Sequence, residues 1–249
     1  MKLTEATWTD VRDADPTLGM IPVGSTEQHG PHAPLGTDLL HAESVAEAAA
    51  DQYCEQTGSP VAVAPPIPIG IAEEHRRFDG TLWVSPDTFR AYVRETAASM
   101  AFHGIDRLVI VNGHGGNIDA LAETAATVSR HEDAYAVAFT WFNAVGEHTK
   151  RMGHAGPLET GLLRHTHPEL VREDRVEEAA ADGSDRWGEW VAGVNLAHDS
   201  SEFTDSGVVG DPSEGDPALG EELLESAADA LVELLAAVKN RDVDRYPVG

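Results

Sequence analysis

The chain has a single cysteine, Cys54, and only three lysines, Lys2, Lys150 and Lys239. One cysteine excludes an internal disulfide and any CxxC zinc site, and Cys54 reads as a buried, inert thiol. No run of 18 apolar residues occurs, and no basic segment followed by an apolar stretch opens the sequence. Neither a membrane span nor a signal peptide is therefore expected, and the expected location is the cytoplasm. Several catalytic recipes are missing too. There is no HExxH helix, no G-x-S-x-G elbow, and no cysteine near a histidine-bearing loop, which removes three common hydrolase designs.

Positive charge is scarce as well. Against 17 Lys and Arg stand 43 Asp and Glu, for a net charge of −26. That imbalance argues against nucleic acid or an anionic membrane as a partner. Two readings remain, an acidic interaction surface or adaptation to high salt, where screening removes the self-repulsion. The acids are spread from end to end, through 43–55, 169–189 and 221–233, which favours salt adaptation.

Short apolar runs alternate with longer amphipathic stretches, the pattern of βα units around a mainly parallel sheet. Strands are expected at 19–24, 61–64, 107–112 and 134–140. Helices are expected at 39–56, from Ser85-Pro86-Asp87 to about 103, from an Asn117 cap to about 130, from Glu159 to 166, and at 219–239. Residues 141–158 read as a loop. Residues 172–216 are acidic and irregular, and no element is assigned there. No linker or repeat divides 1–249, so one domain is expected, with helices on both faces of the sheet.

Polar residues gather just after the apolar strands, where open α/β sheets bind their ligands. Glu27, His29 and Asp38 follow the first strand in a Gly/Pro-rich loop. They are hard or borderline metal ligands, although Asp38 alone could be a helix cap. His114 stands among glycines in Asn112-Gly-His-Gly-Gly-Asn117, directly after the clearest strand. That turn could hold a ligand histidine, cradle a phosphate, or be purely structural, but it lacks the Lys-Ser/Thr ending of a P-loop. Its glycine N–H groups could also polarise a carbonyl. In His154-Ala-Gly-Pro-Leu-Glu-Thr160, Glu159 is a ligand or a first-turn cap. His154 is a surface histidine or a proton shuttle. Three carboxylates, Glu27, Asp38 and Glu159, with two imidazoles, His29 and His114, suit two divalent cations and a bridging hydroxide. The other histidines, including His165 and His167, read as solvated.

At these motifs the sequence resembles the creatininase (creatinine amidohydrolase) family. The matching pieces are Gly24-Ser-Thr-Glu-Gln-His-Gly-Pro-His-Ala-Pro-Leu-Gly-Thr-Asp38, Glu74-His75 leading to Gly80-Thr81 and Ser85-Pro86, Asn112–Asn117, His154–Thr160, and Gly207-Val-Val-Gly-Asp-Pro212. The resemblance implies a three-layer α/β/α sandwich with a mainly parallel central sheet. It implies two divalent metal ions per chain (Zn, Mn or Fe), with Glu27, His29, Asp38 and His114 at ligand positions. It also implies a small-molecule amide substrate and a homo-oligomer, often a hexamer. The expected reaction is hydrolysis of a non-peptide C–N bond, in a cyclic amide or formamide, by a metal-bound hydroxide, with His154 donating to the leaving nitrogen. One position departs from the family. Gly116 stands where creatininases carry a glutamate two residues after the histidine, and Glu159 is the candidate replacement. Similar proteins with the double glycine include a formamidopyrimidine-nucleotide deformylase of flavin and deazaflavin synthesis and a peptidase-like maturase of a peptide-derived cofactor. A metal-binding protein without turnover is the rival from another class.

Overall fold

The computed structural model describes residues 1–242. After a short helix α1 (Trp8–Ala14), the chain runs β1 (Leu18–Val23), α2 (Thr37–Thr57), β2 (Val61–Val63), α3 (Pro86–Phe102), β3 (Arg107–Asn112), α4 (Ile118–His131) and β4 (Tyr135–Thr140). Helices α5 (Pro157–Thr166), α6 (Val176–Ala181) and α7 (Pro217–Asn240) follow, with a small hairpin, β5 (Trp190–Val191) and β6 (Val194–Asn195), between the last two.

The four main strands form one parallel sheet in the order β2-β1-β3-β4. Successive strand residues face opposite sides, so each strand feeds two cores. Leu18, Met20, Val61, Val63, Val109 and Val111 pack on one face with residues of α2, α5 and α7. Ile21, Val23, Ala62, Leu108, Ile110 and Ala136 pack on the other with residues of α3 and α4. Strands β1, β2 and β3 are buried on both faces, which is why they read as continuous apolar runs, while the edge strand β4 is only partly covered. This is the expected three-layer α/β/α sandwich.

Strand order reverses between β1 and β3, the switch point at which such sheets leave a crevice beyond their carboxyl ends. Val23 pairs with Asn112, so the two strands end level. Two glycines let α2 start immediately above them. A Cβ on Gly113 would collide with the Asp38 carbonyl, and one on Gly24 would meet the Leu39 backbone. The loops carrying Glu27 and His114 therefore open side by side, with the first turn of α2 between them.

The structure corrects some expectations. Cys54 is exposed on α2 rather than buried. Asn117 makes no side-chain cap. Its buried amide instead ties three loops, accepting from the Ile71 N–H (3.0 Å) and donating to the Gly24 carbonyl (3.0 Å). A buried amide needs partners for both ends, and those two backbone groups supply them. Ser85 does cap α3, accepting from the Thr88 N–H with Pro86 in the first turn.

Candidate metal centre

The five predicted ligands meet in one place. Glu27 and His29 come from the loop after β1, His114 from the loop after β3, Asp38 from the first turn of α2 and Glu159 from the first turn of α5; all are buried. Asp38 accepts no capping bond. Its Oδ1 lies 3.1 Å from His29 Nε2 and its Oδ2 lies 3.1 Å from His114 Nδ1. Glu27 Oε1 lies 3.1 Å from the same His114 nitrogen, and Glu159 Oε1 lies 3.8 Å from His29 Nε2. Glu159 Oε2 meanwhile accepts from the Ala155 N–H, so one oxygen caps the loop before α5 and the other faces the centre. Ala155 adopts a positive φ of 51°, which presents that N–H.

Each histidine is anchored through one ring nitrogen and turns the other to the centre. His29 Nδ1 donates to the Glu27 carbonyl (3.2 Å), His114 Nε2 to the Ile71 carbonyl (2.7 Å) and His154 Nε2 to the Gln28 carbonyl (2.7 Å). Carbonyls only accept, so these bonds fix the tautomers. The inward nitrogens are Nε2 of His29 and Nδ1 of His114 and His154, and such backbone anchoring is typical of metal-ligating histidine.

His75 also joins this cluster, a residue to which the sequence motif assigned no role. The Gln28 side chain defines its protonation. Gln28 Oε1 accepts from the Gly30 N–H, so its amide nitrogen donates to the Gly207 carbonyl (3.0 Å) and to His75 Nδ1 (2.9 Å). His75 Nε2 therefore carries the proton, 3.5 Å from Glu27 Oε1. Although Glu27, His75 and His154 have metal-compatible spacing, this tautomer leaves His75 no lone pair at Nε2, so its N–H faces the Glu27 carboxylate at 3.5 Å. Burial, reinforced by neighbouring His154, holds the His75 pKa well below its usual value and keeps the ring neutral.

The donor set fits divalent cations. Both Glu27 oxygens, His29 Nε2 and Asp38 Oδ2 are buried without a hydrogen-bond partner. Buried polar atoms are seldom left so, and a cation would satisfy all of them. Donor separations of 3.1 to 3.8 Å bracket the edge of roughly 3.3 Å expected for tetrahedral bonds of ~2.0–2.1 Å. Without metal, protons take the cations' place. Burial opposes charge on His29 and His114, but Asp38 beside His29 and Glu27 beside His114 outweigh it and raise both pKa values well above normal. For Asp38 burial acts upward, and His29 and His114 reverse it, lowering its pKa. His154 is shifted down by burial and by the charge on His29.

A cavity of about 530 Å³ opens over the centre. Its lining includes Glu74, Gly116, Phe142, Met152, Arg186 and Trp187. A Cβ at Gly116 would press on the Ile71 carbonyl and His114 Nε2 and come within 3.0 Å of Glu74 Oε1. The backbone of this chain approaches too closely there for a side chain without a shift of the Ile71 carbonyl or His114.

A buried carboxylate–imidazole cluster of this kind, at the switch point of a parallel sheet, has the donor types of a metal-dependent hydrolase. A family profile described as creatinine amidohydrolase matches residues 4–235, and the chain belongs to the creatininase family of metal-dependent amidohydrolases. A "mycofactocin precursor peptide peptidase" of Mycobacterium ulcerans is 40% identical over 165 residues, covering 65% of this chain and 63% of that protein. The chain thus aligns with less than two thirds of that relative's length. A protein of the same description from Mycobacterium tuberculosis is 32% identical over 251 residues, covering 94% of this chain and 90% of its own length. Among solved structures, a manganese form of creatininase superposes with a TM-score of 0.80 at 21% identity, covering 96% of this chain and 99% of that one.

Proposed function

We propose that this chain hydrolyses the C–N bond of a small amide at a two-metal centre. One divalent ion would be held by Glu27, Asp38 and His114, and the other by His29, Asp38 and Glu159. The observation that carries this reading is Asp38, whose two oxygens each lie 3.1 Å from a different inward-facing histidine. A carboxylate so placed would serve both ions. Zn, Mn and Fe all suit mixed carboxylate–imidazole donors.

Divalent ions in such a site act as Lewis acids toward a carbonyl oxygen and lower the pKa of water to ~7. The chain's own residues supply positioning and proton transfer. Glu27, Asp38 and Glu159 would supply negative charge to the ions, the His75 N–H faces Glu27, and the Gln28 carbonyl holds His154 in place. In its neutral tautomer His154 has a lone pair at Nδ1, so it first accepts a proton there. It then donates that proton to the leaving nitrogen as the C–N bond breaks. Its lowered pKa suits this sequence, because it keeps the resting ring able to accept.

A second reading is favoured by the mycobacterial relatives, whose description names a precursor peptide. In it the scissile bond is an amide of a peptide-derived substrate rather than a cyclic amide or formamide. A formamidopyrimidine-nucleotide deformylase and a metal-binding protein without turnover are the remaining alternatives. Metal content with formate- and amine-release assays over cyclic amides, formamidopyrimidine nucleotides and short peptides separates all four. The expected result is at least one amide turned over by metal-loaded protein and none by the His114→Ala variant, which should also lose metal. Full metal content in that variant would refute the ligand assignment.

The broader setting belongs to the same proposal. Residues 1–249 act as one creatininase-like metal hydrolase domain, cytoplasmic, salt-adapted and homo-oligomeric. Among the described residues no helix is long and apolar enough to cross a membrane. The exposed apolar face of Trp190, Val191, Val194 and Leu196 supports subunit association.

A further inference from the structure

We propose that Arg186 and Trp187 select the substrate of this centre, and that the amide it takes carries a carboxylate next to an aromatic ring. The inference deepens the amidohydrolase reading and relies on it only for the bond that is broken.

Arg186 is the one Arg or Lys among the residues lining the cavity, whose acidic members include Asp38, Glu74, Glu159 and Asp185. In a chain with 43 acids, several arginines are paired. Arg76 and Arg77 both meet Asp199, and Arg151 meets Glu214. Arg186 has no carboxylate within ion-pair distance among the described residues, although Asp185 adjoins it in sequence. Its guanidinium therefore keeps its fork of N–H donors for something that enters. A guanidinium fork matches a carboxylate in a bidentate, planar fashion. A phosphate dianion fits less well, because a single cation among several carboxylates would meet twice the charge.

The backbone that presents Arg186 is fastened on both sides. Ser184 Oγ donates to the Arg186 carbonyl (2.7 Å) and accepts from its N–H (3.3 Å). The Trp190 indole N–H donates to the Trp187 carbonyl (2.6 Å). Asn195 Oδ1 accepts from the N–H groups of Glu189 and Ala197, which closes the hairpin. The Trp187 ring stands edge-on to His75 (6.3 Å between centroids) and His154 (5.8 Å) and leans on Phe203 (5.7 Å). It is still 38% exposed, so it has ring surface left for a ligand, with Phe142, Met152 and Val209 completing an apolar wall. An aromatic group against that wall gains from stacking as well as burial. Arg186 and Trp187 are consecutive, so the anion and the ring of one small molecule can be bound together beside the metal centre.

The test is calorimetric binding of N-formyl-L-phenylalanine, its methyl ester and phenyl phosphate to metal-loaded protein, with release of formate followed in parallel. The wild type should bind the free acid at least about tenfold more tightly than the ester. Arg186→Gln should abolish that ratio, Arg186→Lys should retain part of it, and Trp187→Ala should weaken acid and ester together. An acid-to-ester ratio unchanged in Arg186→Gln would show that the carboxylate goes to the metals and overturn the proposal. So would a wild type that binds acid and ester equally, or neither. Arg186-dependent binding of phenyl phosphate tighter than that of the acid would reject carboxylate in favour of phosphate. Arg186-dependent selection without formate release, or amine release from any other amide, would instead count against the amidohydrolase reading and leave the selectivity standing.

Discussion

Glu159 answers to two partners, and a single substitution separates them. One oxygen caps the backbone of the loop before α5 and the other faces His29. In Glu159→Gln the amide oxygen can still accept from the Ala155 N–H, while the charge toward His29 is gone. The expected outcome is a loss of about one metal per chain, with the remaining ion held by Glu27, Asp38 and His114, and a stability change of no more than roughly 1 kcal/mol. Elemental analysis with one melting curve decides it. Unchanged stoichiometry with a lowered melting point would leave only the capping role. The raised pKa values of His29 and His114 give a second prediction. Protonated histidines cannot bind metal, so loading must expel their protons, and affinity should rise with pH until both rings are neutral. Calorimetry in buffers of different ionisation enthalpy should report net proton release on metal loading at neutral pH. The same shifts act on the metal-free fold. A histidine whose folded pKa is raised contributes stability that is complete below its unfolded value of ~6.5 and is lost as pH rises through the folded value. Metal-free protein should therefore melt lower at pH 9 than at pH 6, and metal should narrow the gap.

Among the elements, the meeting of α2 with the ends of β1 and β3 decides whether the centre forms. Gly113→Ala would drive a methyl into the Asp38 carbonyl. Relief requires the first turn of α2 to move, and Asp38 moves with it. Overpacking of this kind costs ~1–3 kcal/mol, so urea unfolding should show that loss. Metal affinity should fall as well, although no ligand has changed. Normal affinity in a destabilised variant would mean that the helix shifts without displacing Asp38. Strand β3 was legible residue for residue, because a strand buried on both faces has to be apolar throughout. The Ser85-Pro86 start of α3 was legible because capping is local chemistry. Asn117 misled, since its side-chain partners lie on loops 46 and 93 residues away. Helix α1 and the 190–195 hairpin escaped notice. The first buries no residue, and the strands of the second are two residues each, so neither leaves a periodic pattern.

At the scale of the whole molecule the net charge of −26 dominates. With so few cations to pair, most of the acids repel one another through solvent. The Debye length grows from ~3 Å at 1 M salt to ~10 Å at 0.1 M, so dilution extends that repulsion across neighbouring side chains. Thermal melts between 0.1 and 3 M KCl should give a midpoint that climbs with salt. A midpoint independent of salt would remove salt adaptation from the account and return the acids to an interaction surface.

The sequence by itself determined the layered βα architecture, the charge, and the five carboxylate and imidazole candidates for the metal centre. Each of these rests on local chemistry, whether apolar runs, caps, or donor-rich loops directly after strands. Only the tertiary structure decided which roles those residues can take. It set Asp38 between two histidines, fixed the tautomers of His75 and His154 through Gln28, crowded Gly116 against the Ile71 carbonyl and His114, and brought Arg186 and Trp187 to the cavity. These outcomes depend on groups tens to more than a hundred residues apart in sequence. The direction of a ring nitrogen or the room for a Cβ is set by whatever backbone packs against it, and no local pattern records that neighbour.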